Sequence, residues 1–211
     1  MKIRNNGRPA FSGKRSGGRK TASLTPARLA IIMVLTILLP GPAPADDGGF
    51  SSPDRLGAGL TFGHSYDSSR TFGFFQVNGL LQYDYDDIWP HPAPDPLFFK
   101  VEGSLGVADY EGEIRLFSSA NILAQYYLAE ASARWRPYVE AGIGLIYSDF
   151  QAEGQGLRVN FNPQAGVGYD FMSGTTTIWY GNIRLHHLSN GNLHDDNRGT
   201  NSVLIQIGRY F

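Results

Sequence analysis

The stretch RVNFNPQAGVGYDF, residues 158–171, alternates between apolar and polar side chains. From Val159 onward its odd positions carry Val, Phe, Pro, Ala, Val, Tyr and Phe, whereas its even positions carry Asn, Gln, Gly and Asp. This period of two is typical of a β-strand whose two faces meet different surroundings. The run is longer than the roughly five or six residues usual in soluble sheets, which favours a strand that crosses a membrane.

Similar alternation recurs along the chain, and turn residues separate the segments. The sequence predicts eight strands, at about residues 55–66, 70–84, 97–110, 113–128, 135–148, 157–171, 175–189 and 200–211. Closing eight antiparallel strands into a cylinder removes the sheet edges, which β-structure in lipid requires. We therefore expect an all-β fold, an eight-stranded antiparallel transmembrane β-barrel.

Alternation alone does not separate a membrane barrel from a soluble lipocalin-like barrel or sandwich, which bury opposite faces. Tyr and Phe cluster near the predicted strand ends, as in an aromatic girdle. The last strand closes on Phe211, similar to the terminal aromatic that bacterial outer-membrane barrels present to their assembly machinery. These features favour the outer membrane of a Gram-negative bacterium, with that machinery as a partner; a soluble barrel is the alternative.

One segment fits this pattern poorly. Residues 84–96, DYDDIWPHPAPDP, are long and Pro-rich for a periplasmic turn. Either the strand count is wrong here or the turn is elaborated. His91 lies among acidic residues, but Pro-rich segments are usually stiff connectors, and we predict no metal.

The N-terminal region has the pattern of an export signal. Eight Lys and Arg residues lie within the first 28 positions, followed by the apolar run LAIIMVLTILL, residues 29–39. This run is too short to span a bilayer, and an A-x-A site precedes Asp46. We predict a signal peptide at 1–45 and an outer-membrane barrel domain at 46–211, with a membrane anchor as the alternative. The basic tail by itself could bind nucleic acid, but the apolar run and cleavage site that follow it argue otherwise. The rest of the chain is net acidic, and the chain has no Cys.

The seventh predicted strand carries candidate catalytic residues. Its odd positions are mostly apolar, should face lipid, and end in His187 and Ser189. Residues two apart on a strand share a face, about 6.5–7 Å apart, so a base and a nucleophile can meet there. Asn201 has the same parity on the last strand and is expected beside His187. H-x-S alone is a weak motif, and ordinary interfacial residues are the alternative.

A longer pattern is more specific. HLSNG at 187–191, NRG at 197–199, Asn201 and a strand that ends in Phe211 resemble the lipid A 3-O-deacylase family. The resemblance is strongest over 161–211. It implies an outer-membrane esterase that hydrolyses the ester-linked acyl chain at position 3 of lipid A, the membrane anchor of lipopolysaccharide. Neither a metal nor an organic cofactor is implied.

The resemblance also implies roles for residues. Ser189 corresponds to the nucleophile, His187 to the general base and Asn197 to an oxyanion donor, while Asn190 shapes the same loop. The chain departs from the family at Asn201, where well-known members carry Glu, and at Asn192, where Gly is common. We expect weakened activity unless Asp195 or Asp196 supplies the missing carboxylate. A non-catalytic barrel with a structural or binding role is the alternative function.

Overall fold

The computed structural model describes residues 52–68, 70–89, 91–129, 134–173 and 177–211. The predicted signal peptide, 1–45, and its boundary lie outside the described residues. The elements in chain order are β1 (Arg55–Asp67), β2 (Gly73–Asp84), α1 (Tyr85–Ile88), β3 (Leu97–Tyr110), β4 (Glu113–Tyr127), β5 (Trp135–Ser148), β6 (Val159–Phe161), β7 (Gln164–Ser173), β8 (Thr177–Leu188) and β9 (Thr200–Tyr210).

The strands close into a barrel in which every paired neighbour is antiparallel. The sheet runs from β4 back through β1 to β9, β8, β7 and β5, and the β4–β5 pairing completes the circle. β6 and β7 are two parts of one strand, because both pair with β5 in the same register, Phe161 opposite Leu145 and Gln164 opposite Gly142. The break falls at Pro163, which has no N–H to donate to the ladder. Nine segments therefore form eight strands, and the predicted barrel is confirmed.

The outer surface of the barrel is apolar. Ile183, Leu185 and Ile205 expose 52%, 59% and 56% of their surface, and other outward positions follow the same pattern. Trp135, whose ring lies 4.4 Å from that of Phe171, belongs to an aromatic rim at one end. An apolar band flanked by aromatic residues is typical of transmembrane barrels, whereas a soluble monomer rarely exposes so large an apolar area. No helix in the described ranges has both the length and the apolar character needed to cross a membrane.

The lumen is filled by a charged network centred on Arg184. Its Nε donates to Glu140 Oε1 (2.6 Å), while Nη1 and Nη2 donate to the two carboxylate oxygens of Glu102 (2.8 and 3.1 Å). Lys100 also pairs with Glu140, and all four side chains are buried. Two cations and two anions balance, which lowers the cost of burying charge. These side chains occupy the interior at this level of the barrel.

The Pro-rich segment is an elaborated turn between β2 and β3, so the predicted strand count holds. Asp84 caps α1 by accepting a hydrogen bond from Asp86 N–H (3.1 Å). Asp86 Oδ1 in turn accepts from Ala93 N–H (2.8 Å). The Trp89 ring stands edge-on to Phe99, 6.1 Å between centroids, which packs the turn against the barrel.

Candidate active site

The end of β8 carries the histidine that the sequence singled out. Ile183 and Leu185 are exposed along this strand, whereas Arg184 and His186 are buried in the lumen. His187 continues the outward row and is half-buried. Its side chain therefore lies on the outer side of the barrel wall, as the parity of the sequence predicted.

Ser189 lies just past β8 but remains in register with the sheet. Its N–H donates to the Phe161 carbonyl (3.1 Å), and its carbonyl accepts from the Phe161 N–H (2.8 Å). Residues two apart in such a ladder point to the same side, so Ser189 shares the outward side with His187. Within the described residues, Ser189 Oγ forms no hydrogen bond. The hydroxyl of this half-buried side chain is thus not engaged by another described group.

Asn201 lies directly beside His187, because the two residues are paired across the β8–β9 ladder. The distance from His187 Nδ1 to Asn201 Oδ1 is 2.7 Å. An amide oxygen only accepts hydrogen bonds, so this contact requires the hydrogen on Nδ1. The contact expected between the last two strands is present, and it leaves Nε2 as the basic nitrogen of the neutral ring.

A residue that the sequence reasoning missed completes this row. Asn201 Nδ2 donates to Asp67 Oδ2 at 2.8 Å. From the sequence, residue 67 belonged to the turn after the first strand, whereas β1 extends through it. A closed barrel places the first strand beside the last. This predicted adjacency was the one feature of the sequence that could have pointed to Asp67. An exposed carboxylate therefore lies two hydrogen bonds from His187.

The loop between β8 and β9 is organised by asparagine side chains. Asn197 Oδ1 accepts from the Asn190 N–H (2.8 Å), and Asn197 Nδ2 donates to Asn192 Oδ1 (2.7 Å). The buried Asn190 side chain donates to the Asp196 carbonyl (2.8 Å). An amide nitrogen carries two hydrogens, so Asn197 keeps one N–H beyond its bond to Asn192. Both residues thus shape the loop, and Asn197 retains donor capacity.

The backbone of this loop accounts for one departure from the family pattern. Asn192 has a φ of 63°, in the left-handed region. Glycine adopts this conformation without strain, and asparagine tolerates it better than most side chains do. Asn192 therefore maintains a turn for which Gly is the common solution.

Gly199 is packed against the His187 ring. A Cβ on Gly199 would lie 2.4 Å from His187 Cε1 and 3.0 Å from Nε2. These separations are shorter than carbon and nitrogen atoms tolerate without a shift of the ring. The NRG part of the motif thus includes a position where the absence of a side chain makes room for the imidazole.

The loop carboxylates do not reach the histidine. Neither Asp195 nor Asp196 forms a hydrogen bond or ion pair with His187 among the described residues, and both are exposed. The carboxylate connected to the ring through Asn201 is that of Asp67. In the ranges that the structure covers, no group of three or more His, Cys, Asp and Glu side chains is arranged to hold a metal ion.

The chain is similar to one protein family and to solved structures. The family model described as lipid A 3-O-deacylase (PagL) matches residues 78–209. The crystal structure of the outer membrane enzyme PagL superposes with a TM-score of 0.56 and 20% identity, covering 71% of this chain and 97% of that one. The crystal structure of Neisserial surface protein A superposes with a TM-score of 0.57 and 12% identity, covering 74% and 94%.

At these identities the two superpositions establish the fold alone. A search of curated protein sequences finds no significant match. The family model, however, spans more than half of the chain and includes every residue of the candidate site except Asp67. The chain therefore belongs to the lipid A 3-O-deacylase (PagL) family.

Proposed function

We propose that this protein is an outer-membrane esterase that hydrolyses the 3-O-linked acyl chain of lipid A by a Ser-His mechanism. The observation that carries the proposal is the outward-facing row of Ser189, His187 and Asn201 at the end of an apolar belt. A lipid can approach this row sideways within the membrane, and the buried network around Arg184 occupies the lumen behind it. Family membership supports the reaction.

The first chemical step is attack by Ser189 Oγ on the ester carbonyl carbon. His187 Nε2 accepts the hydroxyl proton as the new C–O bond forms, and the ring becomes an imidazolium. The tetrahedral intermediate then expels the sugar 3-oxygen, which receives this proton. Water, activated by the same nitrogen, hydrolyses the acyl-serine and releases the fatty acid. The Ser189–His187 hydrogen bond forms when the substrate binds, since such contacts are often loose in empty sites.

The oxyanion of the intermediate needs donors close to Ser189. Asn197 is our candidate, because its Nδ2 retains one N–H beyond the bond to Asn192. One donor of this kind contributes about 3–4 kcal/mol to transition-state stabilisation. Asn190 has a supporting role, since its N–H and side chain tie Asn197 and Asp196 into one loop.

The proposed location is the outer membrane, reached through the signal peptide predicted at 1–45. If β1 starts at the periplasmic side, β8 ends at the cell exterior, and Ser189 lies level with the outer leaflet. Lipid A occupies that leaflet, so enzyme and substrate share one layer. The site would therefore contact lipopolysaccharide within the membrane, and the lipid would not have to be extracted into water.

The test is mass spectrometry of lipid A from cells that express the wild type, Ser189→Ala or the control Ser118→Ala. Ser118 is a half-buried serine on β4, which lies three strands from β8 in the barrel. The wild type and Ser118→Ala should yield lipid A that lacks the 3-O-linked chain, whereas Ser189→Ala should leave lipid A intact. Heat-dependent gel mobility verifies that each barrel folds. Identical lipid A from cells with folded wild type and folded Ser189→Ala would reject the proposal.

A further inference from the structure

A β-bulge near the end of β1 changes which side chains face the site. β1 and β9 pair in one register from Gly57 opposite Tyr210 to Ser65 opposite Ser202. The next pair is Asp67 opposite Asn201, so β1 advances two residues where β9 advances one. Bulges of this kind are common next to active sites, where they redirect a side chain.

The effect of the bulge follows from parity. Ser65 is buried in the lumen, so an unbroken strand would turn Tyr66 outward and Asp67 inward. The extra residue moves Asp67 to the outer side instead, where its Oδ2 accepts from Asn201 Nδ2 (2.8 Å). A local irregularity in β1 thus brings a carboxylate to a site built on β8 and β9.

The donors and acceptors in this row can be arranged in one way. A carboxylate only accepts hydrogen bonds, so the Asn201 atom that faces Asp67 must be Nδ2. The amide oxygen therefore faces His187, and because it only accepts as well, His187 Nδ1 must carry the hydrogen. Nε2 is then unprotonated in the neutral ring, which is the form that a general base requires.

We propose that Asp67 is a positioning residue, which holds the Asn201 amide in the orientation that keeps His187 protonated on Nδ1 and basic on Nε2. Its catalytic consequence rests on the proposed esterase function. Asp67 also brings to the site, from another strand, the negative charge that residue 201 lacks. That charge favours the imidazolium formed when Ser189 attacks. The chain thus uses Asn201 as a relay between a remote carboxylate and the imidazole.

The kinetic test uses purified, folded barrel in micelles that contain lipopolysaccharide, with released fatty acid quantified by mass spectrometry. Asp67→Ala should lower kcat by about 10- to 100-fold, the range seen when the hydrogen-bond partner that orients a metal-ligating histidine is lost, with KM nearly unchanged. The matched control is Asp109→Ala, which removes an exposed carboxylate from β3. This control should retain wild-type kcat.

Rescue separates positioning from a merely structural role. In Asp67→Ala/Asn201→Glu, the new carboxylate contacts His187 directly and no longer needs residue 67. This variant should recover most of the kcat lost in Asp67→Ala. A structural defect at residue 67 would persist in the double variant, so a double variant as slow as Asp67→Ala would overturn the proposal.

A readout that needs no turnover keeps this proposal distinct from the esterase function. The ¹⁵N NMR signals of His187, assigned by their loss in His187→Ala, report which ring nitrogen carries the hydrogen. The wild type should show the Nδ1–H form, and Asp67→Ala should shift the population towards Nε2–H. If Asp67→Ala has the same tautomer as the wild type, the positioning role is wrong even if lipid A is hydrolysed. If Asp67→Ala shifts the tautomer but the wild-type barrel hydrolyses no lipid A, the positioning role is retained and the esterase function is rejected.

Discussion

Replacing Arg184 by Met tests whether the charges buried in the lumen stabilise the barrel by balancing one another. Met preserves much of the side-chain length but removes the charge and every donor. Arg184 forms two hydrogen bonds with Glu102 (2.8 and 3.1 Å), one with Glu140 (2.6 Å), one with Gln164 (3.3 Å) and one with Gln206 (3.0 Å). Glu140 keeps Lys100 as an ion-pair partner, whereas the hydrogen bond that Glu102 keeps, among the described residues, comes from the Gln206 amide.

The buried cluster then changes from neutral to one net negative charge. Removing one partner of a buried ion pair typically costs about 3–5 kcal/mol, because the remaining charge stays out of water without its counter-ion. We expect a loss of this size in the free energy of unfolding of Arg184→Met. The site itself lies on the outer wall, so the folded fraction should keep its kcat.

The assay is urea unfolding of the barrel in lipid vesicles, followed by tryptophan fluorescence. The matched variant Arg184→Met/Glu102→Gln restores neutrality and should be more stable than Arg184→Met alone. The coupling between the two positions should fall within about 0.5–3 kcal/mol, as is usual for residues in one network. A loss of less than about 1 kcal/mol in the free energy of unfolding of Arg184→Met would refute the reasoning. It would mean that water solvates Glu102 or that another cation neutralises it.

Three further predictions concern the outer wall. Gly199→Ala should lower kcat while the barrel still folds, because its methyl group would lie 2.4 Å from His187 Cε1; wild-type kcat would show that the ring has room to move. Asn197→Ala should reduce kcat by about 10²–10³-fold if its free N–H binds the oxyanion, and a loss confined to KM would exclude that role. Ile183→Arg, on the lipid face, should destabilise the barrel in vesicles by about 2–4 kcal/mol in urea titrations, whereas an unchanged unfolding midpoint would argue against burial of this face in hydrocarbon.

Much of the fold follows from local alternation. β3 and β5 begin and end where the sequence predicted, and the other boundaries differ by a few residues. Such agreement has a physical basis: an apolar belt outside and a polar lumen inside impose a strict period of two on every strand. The deviation at Pro163, where one predicted strand appears as two segments, reflects the missing N–H of proline within an otherwise continuous register.

Part of the site could also be predicted from the sequence. Parity alone put His187 and Ser189 on one face, and the short connection to β9 brought Asn201 beside them. The hydrogen-bond partners of Asn197 could not be predicted from the sequence, because they depend on the turn that Asn192 adopts within the loop. The pairing of Gly199 with the imidazole likewise depends on where the returning chain crosses His187.

The sequence by itself determined which residues face lipid, since the alternation of side chains along a strand is a local property of the backbone. Only the tertiary structure decided that Asp67 joins His187 and Asn201. Asp67 lies 134 positions before Asn201, and the two meet because the barrel closes β1 onto β9. The bulge at Tyr66 then shifts the register by one residue, and such a shift reverses the face of every side chain that follows it.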